Sequence, residues 1–503
     1  MSRLTKLLII WLTVLALLYS TLSIVRHAHF QSGGFDLGLY DQTIWKYSHF
    51  LSPYNTIKDR FALGDHLNLT LPLIAPLYWL WEDVRLLLIF QAFWLSFSSL
   101  AIYLLCRLRK FSPLTSFNLS FLYSLFYGIQ FAVFFDFHPV IIGVGLIAWL
   151  VYFLESKRKK LFGLTLVLLL LTQENMGLAL TSLGLIYFFK KDYRGLAIGF
   201  IFGGLVWSLL AAKIIAFFSP EMGFQYWPTI SHDPGQIIQA FFNAQEKRLV
   251  WLYSFSWFSF LPLLSPGAVL AVAFELAQYF VTGPEFARMW SPFMHHRAIL
   301  APFLLLGTLD ALRLLEKMKP PPRFWGRLLF CPFHAFEKIK TPIIAFRWCR
   351  LLTSHLCPPK FRGTAPRSNF RPQLDAVVMK KKWFKPQIVT LLMVLVALGL
   401  QYGFHFPLNK LSKRIYWQSE HWMADNRALF QVIPPDASLA TQQSLIPHLS
   451  QRREIYLTWP REHDFDESVC GQRSCWWLDF GGQPEYLVVD LHPYQWLTQL
   501  LET

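Results

Sequence analysis

The 503-residue chain is 54% hydrophobic and 17% aromatic, only 16% of its residues are charged, and its formal net charge is +16. A soluble chain usually has about a quarter of its residues charged, and here the apolar residues run in long uninterrupted stretches, which excludes a disordered, collagen-like or disulfide-scaffold protein. The charge is concentrated as well: between Lys317 and Lys385 there are 16 Lys and Arg against 2 Asp and Glu, so the excess belongs to one segment and makes no nucleic-acid surface of the whole chain.

After a short basic start, the apolar stretch 7–25 exceeds a signal-peptide core and lacks a small-x-small cleavage site. It reads as a retained first transmembrane helix. Runs able to cover roughly 30 Å of hydrocarbon at about 1.5 Å per residue follow at 84–105, 114–134, 196–218, 298–315 and 386–404. Shorter or interrupted ones lie at 140–154, 161–172, 176–189, 249–264 and 268–281. The expected fold is an α-helical polytopic membrane protein of about 11 transmembrane helices.

The segment 67–81 is apolar but short, and it contains Pro72 and Pro76. Cytoplasmic loops are enriched in Lys and Arg. With a cytoplasmic N-terminus and 67–81 not spanning, the basic clusters at 107–110, 157–160, 190–194 and 313–385 all fall inside; spanning would turn every one of them outward. The segment is therefore placed as an interfacial or re-entrant helix on the outer side, with Tyr78, Trp79 and Trp81 at headgroup depth.

Four regions follow: a membrane domain 1–316 with a large first outer loop 26–65, a basic cytoplasmic amphipathic insert 317–385, a last transmembrane helix 386–404, and a small extracytoplasmic α/β domain 405–503. Aromatic-rich stretches of the insert suit anionic inner-leaflet lipid. In the last domain, helix-like stretches at 411–431, ended by Pro434 and Pro435, and at 444–449 alternate with strand-like runs at 438–440, 455–457 and 486–489. There an oxidising exterior would permit a disulfide between Cys470 and Cys475, while Cys106, Cys331, Cys349 and Cys357 fall on the reducing side.

This topology collects the remaining polar clusters on the outer face, at 36–41, 64–66, 136–139, 173–175, 231–233 and 295–297. Asp36 and Asp41 are five residues apart, about 140° around a helix, and need not share a face. Asp36 reads as a cap or loop residue and Asp41 as one turn in; either carboxylate just outside the first helix can act as a general base, and Asp36 can equally well only cap a helix. Asp136 and His138 sit between two opposed helices, where capping is the plain alternative. Glu174 interrupts an apolar stretch, and ionisable groups at that depth usually face a cavity; Glu275 invites the same argument or a partner on a neighbouring helix. His295, His296 and Arg297 suit a phosphate leaving group or an interfacial anchor.

The patterns Gly34-Phe-Asp-Leu-Gly-Leu-Tyr-Asp-Gln42, Gly64-Asp-His66 and Ala75-Pro-Leu-Tyr78 resemble a bacterial family of uncharacterised polytopic membrane proteins, a domain of unknown function similar to GT-C glycosyltransferases. Asp136 and His138, Gln173-Glu174-Asn175, Ile433-Pro-Pro-Asp-Ala-Ser438 and Pro447-His-Leu-Ser450 fit the same resemblance. It implies inverting transfer of a sugar from a polyprenyl-phosphate donor to a glycan, lipid or protein acceptor. An acidic residue of the first outer loop, Asp36 or Asp41, would be the base or a metal ligand; the two are not adjacent, and which of them acts stays open. His295, His296 and Arg297 would stabilise the departing phosphate, and His66, Asp136, His138 and Glu174 would shape the pocket. The rim of Asp, Glu and His could hold a divalent ion such as Mg or Mn, but no spacing is diagnostic of one. The rival from another class is a multi-pass transporter or lipid or polysaccharide flippase, against which stand the lack of a repeat relating the two halves and the concentration of polar groups on one face. A non-catalytic scaffold presenting the outer domain fits poorly with so many rim carboxylates.

Overall fold

The long apolar runs become long helices, and most of the protein is helical. The computed structural model describes residues 3–227, 229–231, 233–318, 384–458, 460–464, 474–478 and 482–492. The first part of the chain holds α1 (Arg3–Ala28), α2 (Leu39–Ser48), α3 (Arg85–Leu108), α4 (Pro113–Ser124), α5 (Tyr127–Phe135) and α6 (Val140–Glu155). Next come α7 (Lys159–Leu170), α8 (Met176–Phe188), α9 (Arg194–Phe218), α10 (Pro234–Ala240), α11 (Gln245–Trp257), α12 (Pro266–Phe280) and α13 (Leu300–Lys317). Beyond the basic segment lie α14 (Pro386–Gly403), α15 (His421–Val432) and α16 (Ile446–Leu449). The chain divides into two units, Met1–Leu312 with Gln387–Thr503, and Arg313–Pro386. Little of the second lies among the described residues; within it Arg313 pairs with Glu316. Most of the basic insert, including Cys331, Cys349 and Cys357, lies outside them, as does Cys470 with the disulfide expected there.

Among the described residues five helices are long and apolar enough to cross a membrane, and a sixth span results if α4 and α5, bent by 40° at their junction, are taken as one. The other expected spans are helical but short. α6, α7, α8, α11 and α12 have 12 to 16 residues, so each covers about 18–24 Å, less than the hydrocarbon thickness of about 30 Å. The α4–α5 bend has no proline. Instead, carbonyls around the break are taken by side chains: Leu122 by the Trp257 indole and Ser124 by the Tyr19 hydroxyl, both from distant helices, and Leu125 by Gln130 of α5. Such partners satisfy groups that a continuous helix would have paired internally.

The helix ends gather in two sets. At one end Arg109, just past α3, forks onto Glu155 of α6 (2.9 and 2.5 Å), and Tyr187 of α8 donates to the same carboxylate. Asp310 of α13 joins them through Arg109 and Lys190. The clusters 107–110, 157–160 and 190–194 therefore belong to one end of the bundle. At the opposite end lie the C-termini of α1, α5 and α9 and the N-termini of α6, α8 and α13, together with the first loop.

That loop is tightly folded. Segment 67–81 forms two short 3-10 helices, Leu71–Leu73 and Ala75–Trp79, each with proline in its first turn, so no long helix forms there. Leu73, Trp79 and Leu80 are exposed. A hairpin of β1 (Tyr54–Asn55) and β2 (Arg60–Phe61) precedes it.

The C-terminal region is a small α/β unit. β3 (Leu439–Thr441) lies between β4 (Ile455–Leu457) and a later strand (Tyr486–Val488), all parallel, with α16 in the β3–β4 crossover. Between these come β5 (Pro460–Asp464) and β6 (Ser474–Leu478), an antiparallel pair, so the later strand is β7. The expected helix over 411–431 begins only at His421. Upstream, Asn409 is tied to Gln401 and the Tyr416 hydroxyl to the Leu22 carbonyl, and these anchors hold the chain in 3-10 turns instead. Phe30 of the first loop packs into the core of this unit with Ile446, Leu449 and Ile455.

Close backbone approach fixes the bundle near the loop end. A Cβ added at Gly128 would lie 2.5 Å from the Arg297 carbonyl oxygen and 2.6 Å from its carbon. Gly128→Ala should therefore cost about 1–3 kcal/mol. It would be read as a lowered thermal unfolding midpoint in detergent, while Gly199→Ala, inside α9 with nothing within 4 Å, should not lower the midpoint, since alanine favours a helix interior over glycine.

Candidate functional site

The sequence Gly33-Gly-Phe-Asp-Leu-Gly38 does not wind as an α-helix. Gly34–Gly38 forms one wide turn, closed by the Gly38 amide on the Gly33 carbonyl (3.2 Å), and α2 starts only at Leu39. Wide turns of this kind recur at functional sites. The turn sends Asp36 and Asp41 to different places.

Asp36 stays half-buried and meets His138, whose Nε2 lies 3.0 Å from Oδ1. Among the described residues its Oδ2 has no hydrogen-bond partner. A Cβ at Gly33 would stand 3.1 Å from that oxygen, 3.2 Å from Nε2 of Gln443 and 3.9 Å from an oxygen of Asp136, so three polar side chains surround this glycine. Asp136 is buried, receives the Gly33 amide (2.9 Å) and pairs with Arg26 (2.7 Å). Burial, with Asp36 adding to it and Arg26 opposing, pushes its carboxyl up to about 6.

Behind His138 stand two further imidazoles. His295 stacks on it with ring centres 3.7 Å apart, and His296 lies 3.9 Å from His295 and stacks on Tyr279. Among the described residues, neither nitrogen of the buried His295 has a hydrogen-bond partner, nor does Nδ1 of His296. Unmet buried polar atoms are unusual in a folded protein. Arg297 points elsewhere: it is buried, donates to the carbonyls of Ser291 (3.2 Å) and Met289, and lies on the rings of Tyr279 and Phe280.

Glu174 and His66 form a second pair, Oε1 to Nδ1 2.8 Å, with the Leu67 amide on the other carboxylate oxygen. His66 lies flat on Tyr226 (4.8 Å). Burial would lower His66, but Glu174 and Asp65 outweigh it and raise its pKa. Burial would likewise raise Asp65, yet His66, Lys58 and the Tyr226 hydroxyl bring it down to about 2. Tyr40 links the two pairs, edge-on to His138 at 5.4 Å. Burial first, then Asp65, Asp36 and Glu174, push its hydroxyl well up.

Asp41 stands apart from all of these. It is fully buried and accepts from Tyr78 (2.5 Å), Gln451 (3.1 Å) and Ser450 (2.6 Å), so it joins the first loop to the C-terminal unit. Burial pushes its carboxyl up to about 6 against those three donors. A folded-state value above the unfolded one means that Asp41 adds stability as pH falls from about 6 towards 4. Relative to Asp41→Asn, the wild-type protein should gain about 1 kcal/mol between pH 7.5 and pH 5. Paired thermal melts at the two pH values check this, and an unchanged difference would contradict it.

Among the described residues no group of three or more His, Cys, Asp or Glu side chains is arranged to hold a metal ion, and no Mg or Mn site is assigned. Asp233 of the 231–233 cluster is exposed and caps α10, accepting from the Gly235 amide; His232 lies outside the described residues. Glu275 is buried on Ser182 (2.7 Å) and Gln278 (2.8 Å).

A family described as "Predicted membrane protein (DUF2079)" matches residues 26–336 and 373–476. The chain belongs to this family. Its first matched residue is Arg26, the partner of Asp136, and the match covers every residue of the cluster around Asp36. The expected membership in an uncharacterised membrane-protein family is thereby met, and the description assigns no activity. No curated protein and no solved structure matches the chain.

Arg26, Gln443, Lys58 and Tyr226 are the site residues that local patterns missed. Arg26 and Tyr226 meet their partners across more than a hundred residues, Lys58 meets Asp65 through a loop whose folding has no periodic signature, and Gln443 comes to Gly33 from the C-terminal unit.

Proposed function

We propose that the protein is a GT-C-like glycosyltransferase of the inner membrane, with a cytoplasmic N-terminus, about eleven transmembrane helices and an extracytoplasmic C-terminal domain. The observation that carries this reading is Asp36. It is a partly exposed carboxylate on an unwound turn of the first loop, braced by His138 on one oxygen and unbonded on the other. A base needs a free lone pair within reach of the proton it removes. Asp41, held by three donors, has no such role and is structural.

In the reaction Oδ2 of Asp36 takes the proton from an acceptor hydroxyl, and that oxygen attacks the anomeric carbon of a polyprenyl-phosphate-linked sugar. The bond from that carbon to the phosphate oxygen breaks, its electron pair leaves with polyprenyl phosphate, and the configuration inverts. His138 holds Asp36 in place, and His295 and His296, whose nitrogens other than Nε2 of His296 have no partner among the described residues, supply N–H groups to the leaving phosphate. Arg297 contributes indirectly, by clamping the 289–297 segment that carries both histidines. Glu174 with His66, and Asp136 with Arg26, wall the pocket. The short helices beside this rim suit a site sunk below the membrane surface.

A second reading, a multi-pass transporter or flippase, draws on Glu275, a buried membrane carboxyl without a cationic partner among the described residues, and on the ion cluster of Arg109, Glu155, Lys190 and Asp310 at the far end of the bundle. Radiolabelled lipid-linked sugar in proteoliposomes separates the two. Transfer yields free polyprenyl phosphate, whereas transport moves the label across the bilayer with the phosphate bond intact.

A further inference from the structure

A cavity of about 370 Å³ lies between the first loop, the start of α3 and the C-terminal unit. It is separate from Asp36. Ile446 of α16 packs against Gly34 and Gly38, while Pro447, His448 and Ser450 line the cavity. Its size is within the range of small-molecule sites, roughly 300–1,000 Å³.

Its charges balance. Three guanidinium groups, Arg85, Arg427 and Arg452, line it together with three carboxylates, Asp41, Glu82 and Asp83. All six are already engaged within the chain. Arg85 forks onto Asp83, Arg427 donates to the Ala28 carbonyl, and Arg452 donates to those of Leu449 and Ala437. Asp41 holds its three donors, and Glu82 accepts from the Trp45 indole (2.6 Å). With three carboxylates beside three guanidinium groups, the lining favours neither sign of ligand charge. A neutral hydroxylated ligand needs only the N–H groups and lone pairs the pairs leave over. Ala28, Val84, Pro435 and Leu449 add small apolar patches suited to the faces of sugar rings. No residue of β3, β4 or β7 lines the cavity, so there is no strand edge along which a peptide backbone would extend.

We infer that this cavity binds a neutral saccharide at a site apart from Asp36. The inference stands on the cavity alone and not on the transferase reading. α16 then has two faces with different tasks, one against the Asp36 turn and one against the glycan.

The full-length protein in lipid nanodiscs, applied to an array of neutral glycans, acidic glycans and short peptides, tests this. Retention of neutral glycans is expected, lost on Pro435→Trp, which fills the exposed rim of the cavity, and weakened about tenfold, some 1.4 kcal/mol, by Arg427→Ala. Thermal midpoints of both variants serve as the folding control. Retention only of acidic glycans or peptides, retention unaffected by both variants, or no retention by the wild-type protein would each overturn the inference. Asp36→Asn should retain the same glycans. Glycan retention without any sugar transfer by the wild-type protein overturns the transferase reading and leaves the binding site standing.

Discussion

Asp36→Asn should lower the rate of sugar transfer by about 10²- to 10⁴-fold, the usual worth of a positioned general base, with little change in the thermal midpoint. The amide keeps the size of the side chain and one acceptor for His138 but has no basic lone pair on the open side. Asp41→Asn should keep most of the activity, because its carboxylate is occupied by Tyr78, Ser450 and Gln451. Steady-state transfer from a lipid-linked sugar, measured for both variants at equal membrane expression, checks the pair. Equal loss in both would remove the distinction drawn between the two acids, and full activity of Asp36→Asn would remove its role as base.

Arg26→Met should destabilise the protein by about 3–5 kcal/mol, the cost of stranding a buried partner. The side chains of Arg26 and Asp136 are only 14% and 2% exposed, and without Arg26 the carboxylate is left with neutral partners, the Gly33 amide and the Ser32 side chain. The double change Arg26→Met with Asp136→Asn should recover most of the loss, since the charge that made the vacancy costly is gone. The sign with pH is fixed as well. Asp136 already titrates at about 6, and losing its cation moves it higher, so the single variant should be most impaired above pH 6 and approach the wild-type protein as acid neutralises the group. Unfolding midpoints of the three variants at pH 5 and pH 8 read this directly. A penalty independent of pH would assign the loss to packing of Arg26 on Phe134 and Phe135.

What could be read from the chain was whatever depends on local pattern. The runs at 7–25, 84–105, 196–218, 298–315 and 386–404 became helices of membrane length, and the basic clusters at 107–110, 157–160 and 190–194 fell at one end, where Arg109 meets Glu155 and Lys190 meets Asp310. Strand-like runs at 438–440, 455–457 and 486–489 became a parallel sheet within a residue of the expected bounds. What could not be read depends on contacts between distant residues. Nothing near Ser124 marks the bend between α4 and α5, because the groups that stabilise it, Tyr19 and Trp257, come from other helices. The same limit applies to the site. Asp36 and His138 were both visible as candidates, but not that they meet. Arg297 was visible as a cation, but not that its donors go to backbone carbonyls. Arg26 sat unnoticed at the end of the first helix because its partner lies 110 residues on.

The central claim is that Asp36 is the base of a transfer from a lipid-linked sugar. The most direct measurement reconstitutes the wild-type protein and Asp36→Asn with a polyprenyl-phosphate sugar of known anomeric configuration. It follows released polyprenyl phosphate and the configuration of the transferred sugar by NMR. The account predicts one polyprenyl phosphate released per sugar transferred, with inversion, by the wild-type protein and neither event by Asp36→Asn. Retained configuration, equal turnover by both proteins, or donor carried across the bilayer intact would contradict it.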